Sequence, residues 1–165
     1  MKRLWAPWRI EYILGPKPDE CVFCIKDIKG EDEERLILFR GNFSFVIMNK
    51  YPYNTGHIMV TPYRHIHSLE ELKEEEQREM MWLLVKCTEI LKEVFHPQGI
   101  NIGLNIGEVA GAGIKEHLHF HLVPRWSGDH SFMAVFAETM VIPEALKITY
   151  KKLKGPFEAL NPINH

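Results

Sequence analysis

From His117 onward polar and apolar positions alternate strictly: His117, His119 and His121 are interleaved with Leu118, Phe120 and Leu122, and Val123 and Pro124 follow. This is the pattern of a half-buried strand, and it predicts three imidazoles leaving one face of a sheet. At about 3.3 Å per residue, same-face neighbours lie ~6.5–7 Å apart, near enough to serve one substrate. Two apolar runs, Arg35–Arg40 and Phe43–Met48, flank Gly41-Asn42 and predict a hairpin. A further strand, His57–Thr61, stops at Pro62. Beyond Ser68 the period changes to helical. Leu69, Leu72, Met80, Leu83, Leu84, Cys87, Ile90, Leu91 and Val94 form one stripe, opened by a Ser68–Glu71 capping box and closed by Pro97 and Gly99. Two more strands, Ile100–Ile106 and His117–Val123, enclose the stretch from Gly107 to Gly113, and a last helix fits Pro143–Lys154. Strands grouped before and after one long helix predict an α+β fold. Its antiparallel sheet has about five strands, with the long helix on one face and a C-terminal helix behind. Strand–helix alternation is absent, so the Gly107–Gly113 stretch is not a dinucleotide fingerprint.

At 165 residues the chain is expected to form one domain, 1–165. Its motif-bearing core covers about 21–126. An aromatic arm occupies 1–20 (Trp5, Trp8, Tyr12), and a C-terminal extension, 127–165, carries Phe132, Met133, Phe136 and Met140. A net charge of −2 gives no electrostatic footprint for nucleic acid or an anionic membrane. No run approaches the ~20 apolar residues of a membrane span, and the N-terminus lacks the apolar core of a signal peptide. Cytoplasmic residence is the expectation. There cysteines stay reduced, which favours a metal over a disulfide for Cys21 and Cys24. Cys87 falls on the helix stripe and reads as core. Met81 and Trp82 lie outside that stripe and are candidates for a dimer face.

Chemistry gathers in four places. The histidine row offers groups that titrate near neutrality on one rigid element, suited to proton transfer, nucleophilic attack or metal binding. Cys21-Val22-Phe23-Cys24 has zinc spacing and needs two more ligands, for which His65, His67 and His117 are candidates; a pair of small core cysteines is the alternative. The stretch from Gly103 to Gly113 can converge backbone N–H groups on an anion. In Asn49–His57, Asn49 suits either a turn or the vicinal hydroxyls of a ribose, and His57 suits a structural or a functional role equally. Spacing alone also permits the three histidines to hold a catalytic zinc.

Together these motifs resemble the histidine-triad (HIT) superfamily. The resemblance rests on His117-Leu-His-Phe-His-Leu-Val123 and on the upstream block Asn54-Thr-Gly-His-Ile-Met-Val-Thr-Pro-Tyr-Arg-His65, and it covers about Cys21 to Trp126. Leu4-Trp-Ala-Pro-Trp-Arg9, Cys21–Cys24, Gly107–Ile114 and Val123–Asp129 are similar to a bacterial branch of diadenosine tetraphosphate phosphorylases. The resemblance implies that His119 attacks the α-phosphate of an adenine nucleotide or dinucleoside polyphosphate to form a covalent nucleotidyl-histidine. It further implies that His121 binds a phosphate oxygen and that His117 orients the row. Asn49 would contact ribose, with Asn105 and Gly113 in the phosphate loop. Cys21, Cys24, His65 and His117 would form a structural zinc site, with no organic cofactor. A homodimer or higher homo-oligomer is implied, with no nucleic-acid or membrane partner. Where relatives carry Gly-Gln-Ser/Thr before the triad, this chain has Ala112-Gly113-Ile114, so phosphate contact there falls to backbone N–H groups. The Asn105–His117 loop is also one residue longer than in hydrolase branches, which leaves phosphate and water open as acceptors. A HIT hydrolase of phosphoramidates or dinucleoside polyphosphates is one alternative. A zinc-stabilised nucleotide-binding module without turnover is another.

Overall fold

One antiparallel sheet organises the chain. In the computed structural model, which describes residues 21–110, 117–129 and 144–162, its strands are β1 (Ile37–Arg40), β2 (Ser44–Met48), β3 (Ile58–Pro62), β4 (Gly99–Gly103) and β5 (Phe120–Arg125). They lie in the order β1-β2-β3-β5-β4, every neighbouring pair antiparallel. Among the described residues three α-helices accompany them: the short α1 (Asp32–Arg35), the long α2 (Glu74–Phe95) and α3 (Leu146–Glu158). The fold is therefore α+β as expected. The aromatic arm, Gly113 and the apolar residues of 130–143 lie outside the described residues.

Side-chain alternation sorts the sheet into two buried faces. Leu38, Val46, Met48, Ile58, Val60 and Leu122 point toward α2 and α3, where they meet Met80, Leu83, Cys87, Leu91, Leu153 and Phe157. Phe45, Ile47 and Met59 point the other way and are covered by Phe23 and Ile25. The predicted helix-covered face exists, and a second face is closed by the segment that carries the two cysteines. An irregularity between Ile37 and Phe39 lets Leu38 and Phe39 both turn toward the helices. Trp82, read from its spacing as a candidate for a dimer face, packs its ring on Phe39 (6.1 Å between centroids).

Several boundaries differ from the sequence reading, each for a local reason. The acidic stretch ahead of the first strand forms α1, ended by Leu36 in the left-handed conformation (φ 62°). Glu71 does cap Ser68, its Oε1 accepting the Ser68 N–H at 3.1 Å, yet the cap closes only the 3₁₀ turn Leu69–Glu71. The chain then extends at Leu72, and α2 starts afresh where Glu76 Oε2 accepts the Lys73 N–H at 2.8 Å. Helix α3 begins at Leu146 and ends at Glu158, both later than expected, and runs through Gly155 and Pro156. Phe157, fully buried against the sheet, supplies the packing that overrides the two helix breakers. Of the expected strand only Phe120 onward pairs regularly; His117–His119 lead into it, held by the Leu118 N–H, which donates to the Ile66 carbonyl at 2.8 Å.

Candidate functional site

The β3–β5 register sets Met59 opposite His121, and this brings His57, at the start of β3, against the end of the histidine row. His119 and His121 meet edge to face, 4.7 Å between centroids, and His57 and His121 lie 5.1 Å apart. Leu118 and Phe120 turn to the helix side, so the three histidines do share the opposite face. Hydrogen bonds then fix where each proton resides, because a carbonyl can only accept and a peptide N–H can only donate. His119 Nδ1–H donates to the His117 carbonyl at 2.7 Å, which leaves its Nε2 as the lone-pair nitrogen. At the other end the Tyr53 N–H donates to His57 Nδ1 at 3.0 Å. His57 must then carry its proton on Nε2 and donate it to His121 Nδ1 at 2.9 Å. His121 is thereby a neutral ring that presents Nε2–H as a donor. The sequence left the role of His57 undecided; its signals were a strand-opening position after Gly56 and a place in the Asn54–His65 block.

Burial keeps these rings uncharged. His57 is pushed down to about 3, by burial first and then by His121 and His119 beside it. His121 is pushed down to about 4 by burial and by His119. Burial also lowers His119, partly offset by its bond to the His117 carbonyl. Only 5% of His119 is exposed, and Phe23 packs 5.1 Å from its ring. The site therefore offers a buried, neutral imidazole with a free Nε2 lone pair, flanked by an N–H donor. That is the equipment of a nucleophile paired with an anion-binding group.

The other end of the row meets the cysteines. Cys21, Cys24, His65 and His117 bring their ligand atoms within 4.8 Å of one another. Cys21 Sγ lies 3.4 Å from His117 Nδ1, Cys24 Sγ 3.4 Å from His65 Nδ1 and 3.9 Å from His117 Nδ1. With Zn–S near 2.3 Å and Zn–N near 2.0–2.1 Å, a tetrahedral ion sets S···N separations of about 3.5 Å. Two thiolates and two imidazoles at these distances fit zinc. His117 donates Nε2–H to the Pro62 carbonyl at 2.8 Å, so its Nδ1 faces the thiolates unprotonated. His117 Nδ1 is thus directed at the sulfurs, and no three-histidine metal cluster occurs among the described residues. His67 is outside the four, its ring 5.3 Å from His65.

Asn49 is half-buried at the end of β2, where its Oδ1 accepts the Tyr51 N–H at 2.9 Å. Its turn role is thus realised, and its Nδ2 has no hydrogen-bond partner among the described residues. Asn105 is half-buried in the loop after β4. Gly113 lies outside the described residues.

A HIT domain matches residues 29–128. Over 163 residues the chain is 38% identical to the AP-4-A phosphorylase of Mycobacterium tuberculosis, covering 93% of this chain and 83% of that protein. Over 95 residues it is 30% identical to an asymmetrical bis(5'-nucleosyl)-tetraphosphatase of Schizosaccharomyces pombe, covering 58% of this chain and 52% of that one. Among solved structures, a zinc-bound histidine triad family protein of Mycobacterium smegmatis superposes with a TM-score of 0.66 at 26% identity, over 84% of this chain and 94% of that one. The sheet, the histidine row and these similarities together make the chain a HIT-domain protein, an enzyme of the branch that includes the mycobacterial AP-4-A phosphorylase.

Proposed function

We propose that the protein transfers a nucleotidyl group from an adenine dinucleoside polyphosphate, with phosphate as the acceptor, through a covalent adenylate on His119. The observation that carries this reading is the 2.7 Å bond from His119 Nδ1–H to the His117 carbonyl, which leaves Nε2 as a lone pair outside the metal cluster. His119 Nε2 bonds to the α-phosphorus while the bond to the bridging oxygen breaks, and the remaining nucleoside polyphosphate leaves. The ring becomes cationic in this step, and the carbonyl already bonded to Nδ1–H stabilises it. His121 Nε2–H binds a non-bridging phosphate oxygen, held in that tautomer by His57 and the Tyr53 N–H. In the second step a phosphate oxygen attacks the adenylate, the P–N bond breaks, and nucleoside diphosphate departs with His119 restored.

Asn49 Nδ2 is the donor we assign to the ribose, with Asn105 and Gly113 in the phosphate loop. Cys21, Cys24, His65 and His117 would hold a structural zinc that ties the cysteine segment to the row; four protein ligands leave it no open position for substrate. A homodimer is also proposed. Met81 and Val85 on α2 are 62% and 48% exposed, and Ile102 on the terminal strand β4 is 47% exposed.

The second reading, hydrolysis, keeps every residue in place and changes only the acceptor; the tetraphosphatase similarity favours it. Incubation with diadenosine tetraphosphate decides between them. ADP and ATP formed only with added phosphate support phosphorolysis. AMP and ATP formed without it select hydrolysis. Tight binding with no products would leave a nucleotide-binding module.

A further inference from the structure

We infer that Arg64 is a positioning residue for the metal ligand His65, acting through a paired carboxylate on α2. The two histidines of the cluster are held differently. His117 is buried and its second ring nitrogen bonds the Pro62 carbonyl. His65 is exposed, and its second ring nitrogen has no hydrogen-bond partner among the described residues. Without such a partner the ring is oriented by the backbone that carries it and by edge contacts with the rings of His67 and His117, 5.3 and 4.9 Å between centroids.

That backbone is bolted down next door. Arg64 Nε donates to Glu76 Oε1 at 2.6 Å and Nη2 to Glu76 Oε2 at 2.7 Å, a two-pronged arrangement only a guanidinium makes. The same Nη2 donates to the Glu71 carbonyl at 2.6 Å. Glu76 is 3% exposed and its Oε2 also accepts the Lys73 N–H, so the anchor is itself rigid. On the far side of His65 the Ile66 carbonyl accepts the Leu118 N–H at 2.8 Å, fixing the segment to the row. His65 thus hangs between two fixed points. Removing the Arg64 point frees its ring while leaving Cys21, Cys24 and His117 in place.

The inference rests on the proposed zinc site, so the test reads metal directly. Zinc affinity of the full chain is measured by chelator competition, and ligand geometry by the absorption of the cobalt(II)-loaded protein. Arg64→Ala is expected to weaken zinc by about 10–100-fold and to change the cobalt spectrum as His65→Ala does. The double variant Arg64→Ala/His65→Ala is expected to bind no more weakly than His65→Ala alone, because both changes act through one ligand. Arg64→Lys keeps a charge beside Glu76 and serves where Arg64→Ala does not fold; it is expected to lose affinity in the same direction. Wild-type affinity and spectrum in the Arg64 variants, or additive losses in the double variant, would overturn the inference. A wild-type chain that takes up no zinc would instead overturn the metal site, and the inference with it.

Discussion

His119 and His57 are both buried histidines near one substrate position, yet their hydrogen bonds give them opposite assignments. His119 spends its proton on a carbonyl and keeps a lone pair; His57 takes an N–H and passes a proton on. His119→Ala should therefore incorporate no label from α-³²P-labelled substrate while still binding nucleotide. Labelled protein from that variant would remove His119 as nucleophile. For His57 the informative pair is Gln and Leu. Glutamine has an oxygen to accept the Tyr53 N–H and an amide to donate to His121 Nδ1, whereas leucine leaves both groups unsatisfied. Turnover should fall by about 100-fold in His57→Leu and by less than about tenfold in His57→Gln, the cost of disturbing one donor to a charged transition state. Equal losses in the two variants would mean that His57 acts by volume alone.

Helix α2 is joined to the β1–β2 hairpin by one buried carboxylate. Glu79, 1% exposed, accepts the N–H groups of Asn42, Phe43 and Ser44 at 2.7, 2.7 and 2.6 Å. A Cβ at Gly41 would come within 2.8 Å of Glu79 Oε1 and of the Ser44 carbonyl, so the turn needs glycine for closeness. Glu79→Ala leaves the N–H groups of Asn42, Phe43 and Ser44 without this acceptor, the last of them buried, and should cost about 1–3 kcal/mol in urea unfolding; no measurable loss would mean that water replaces the carboxylate. None of this was visible in the sequence, where Glu79 sits unremarked on a helical pattern and Gly41-Asn42 signals only a turn. The histidine alternation was legible because a strand's period is local, and so was the thiol pair, because its spacing is short. The His57–His121 bond spans 64 residues and exists only through strand register. The true start of α2 was hidden because two acceptors, Glu71 and Glu76, both cap nearby N–H groups. Tertiary packing chose between them.

On the proposed zinc site, the cysteine segment and the histidines would contribute to stability through different variables, metal and proton. Phe23 and Ile25 close the sheet's second face, each 1% exposed, and the thiols beside them meet His65 and His117 in the cluster. Chelation should accordingly speed hydrogen exchange in residues 21–28 more than in α2; uniform exchange would deny the segment that dependence. Protons act on the metal-free chain as well. His57 and His121 titrate near 3 and 4 when folded and near 6.5 when unfolded. Between those values the unfolded chain binds protons that the folded chain refuses, so stability rises with pH across this window. The contribution is complete above pH 6.5 and is lost as pH falls below it, at most about 1.4 kcal/mol per pH unit for each histidine. Urea unfolding of metal-free protein from pH 7 to 5 should show this slope, and His57→Gln should lessen it, because glutamine takes up no proton while His121 keeps its share. Parallel curves for the two proteins would mean that the buried pair exchanges protons with solvent as freely folded as unfolded, and the neutral chain from Tyr53 to His121 would then have no basis.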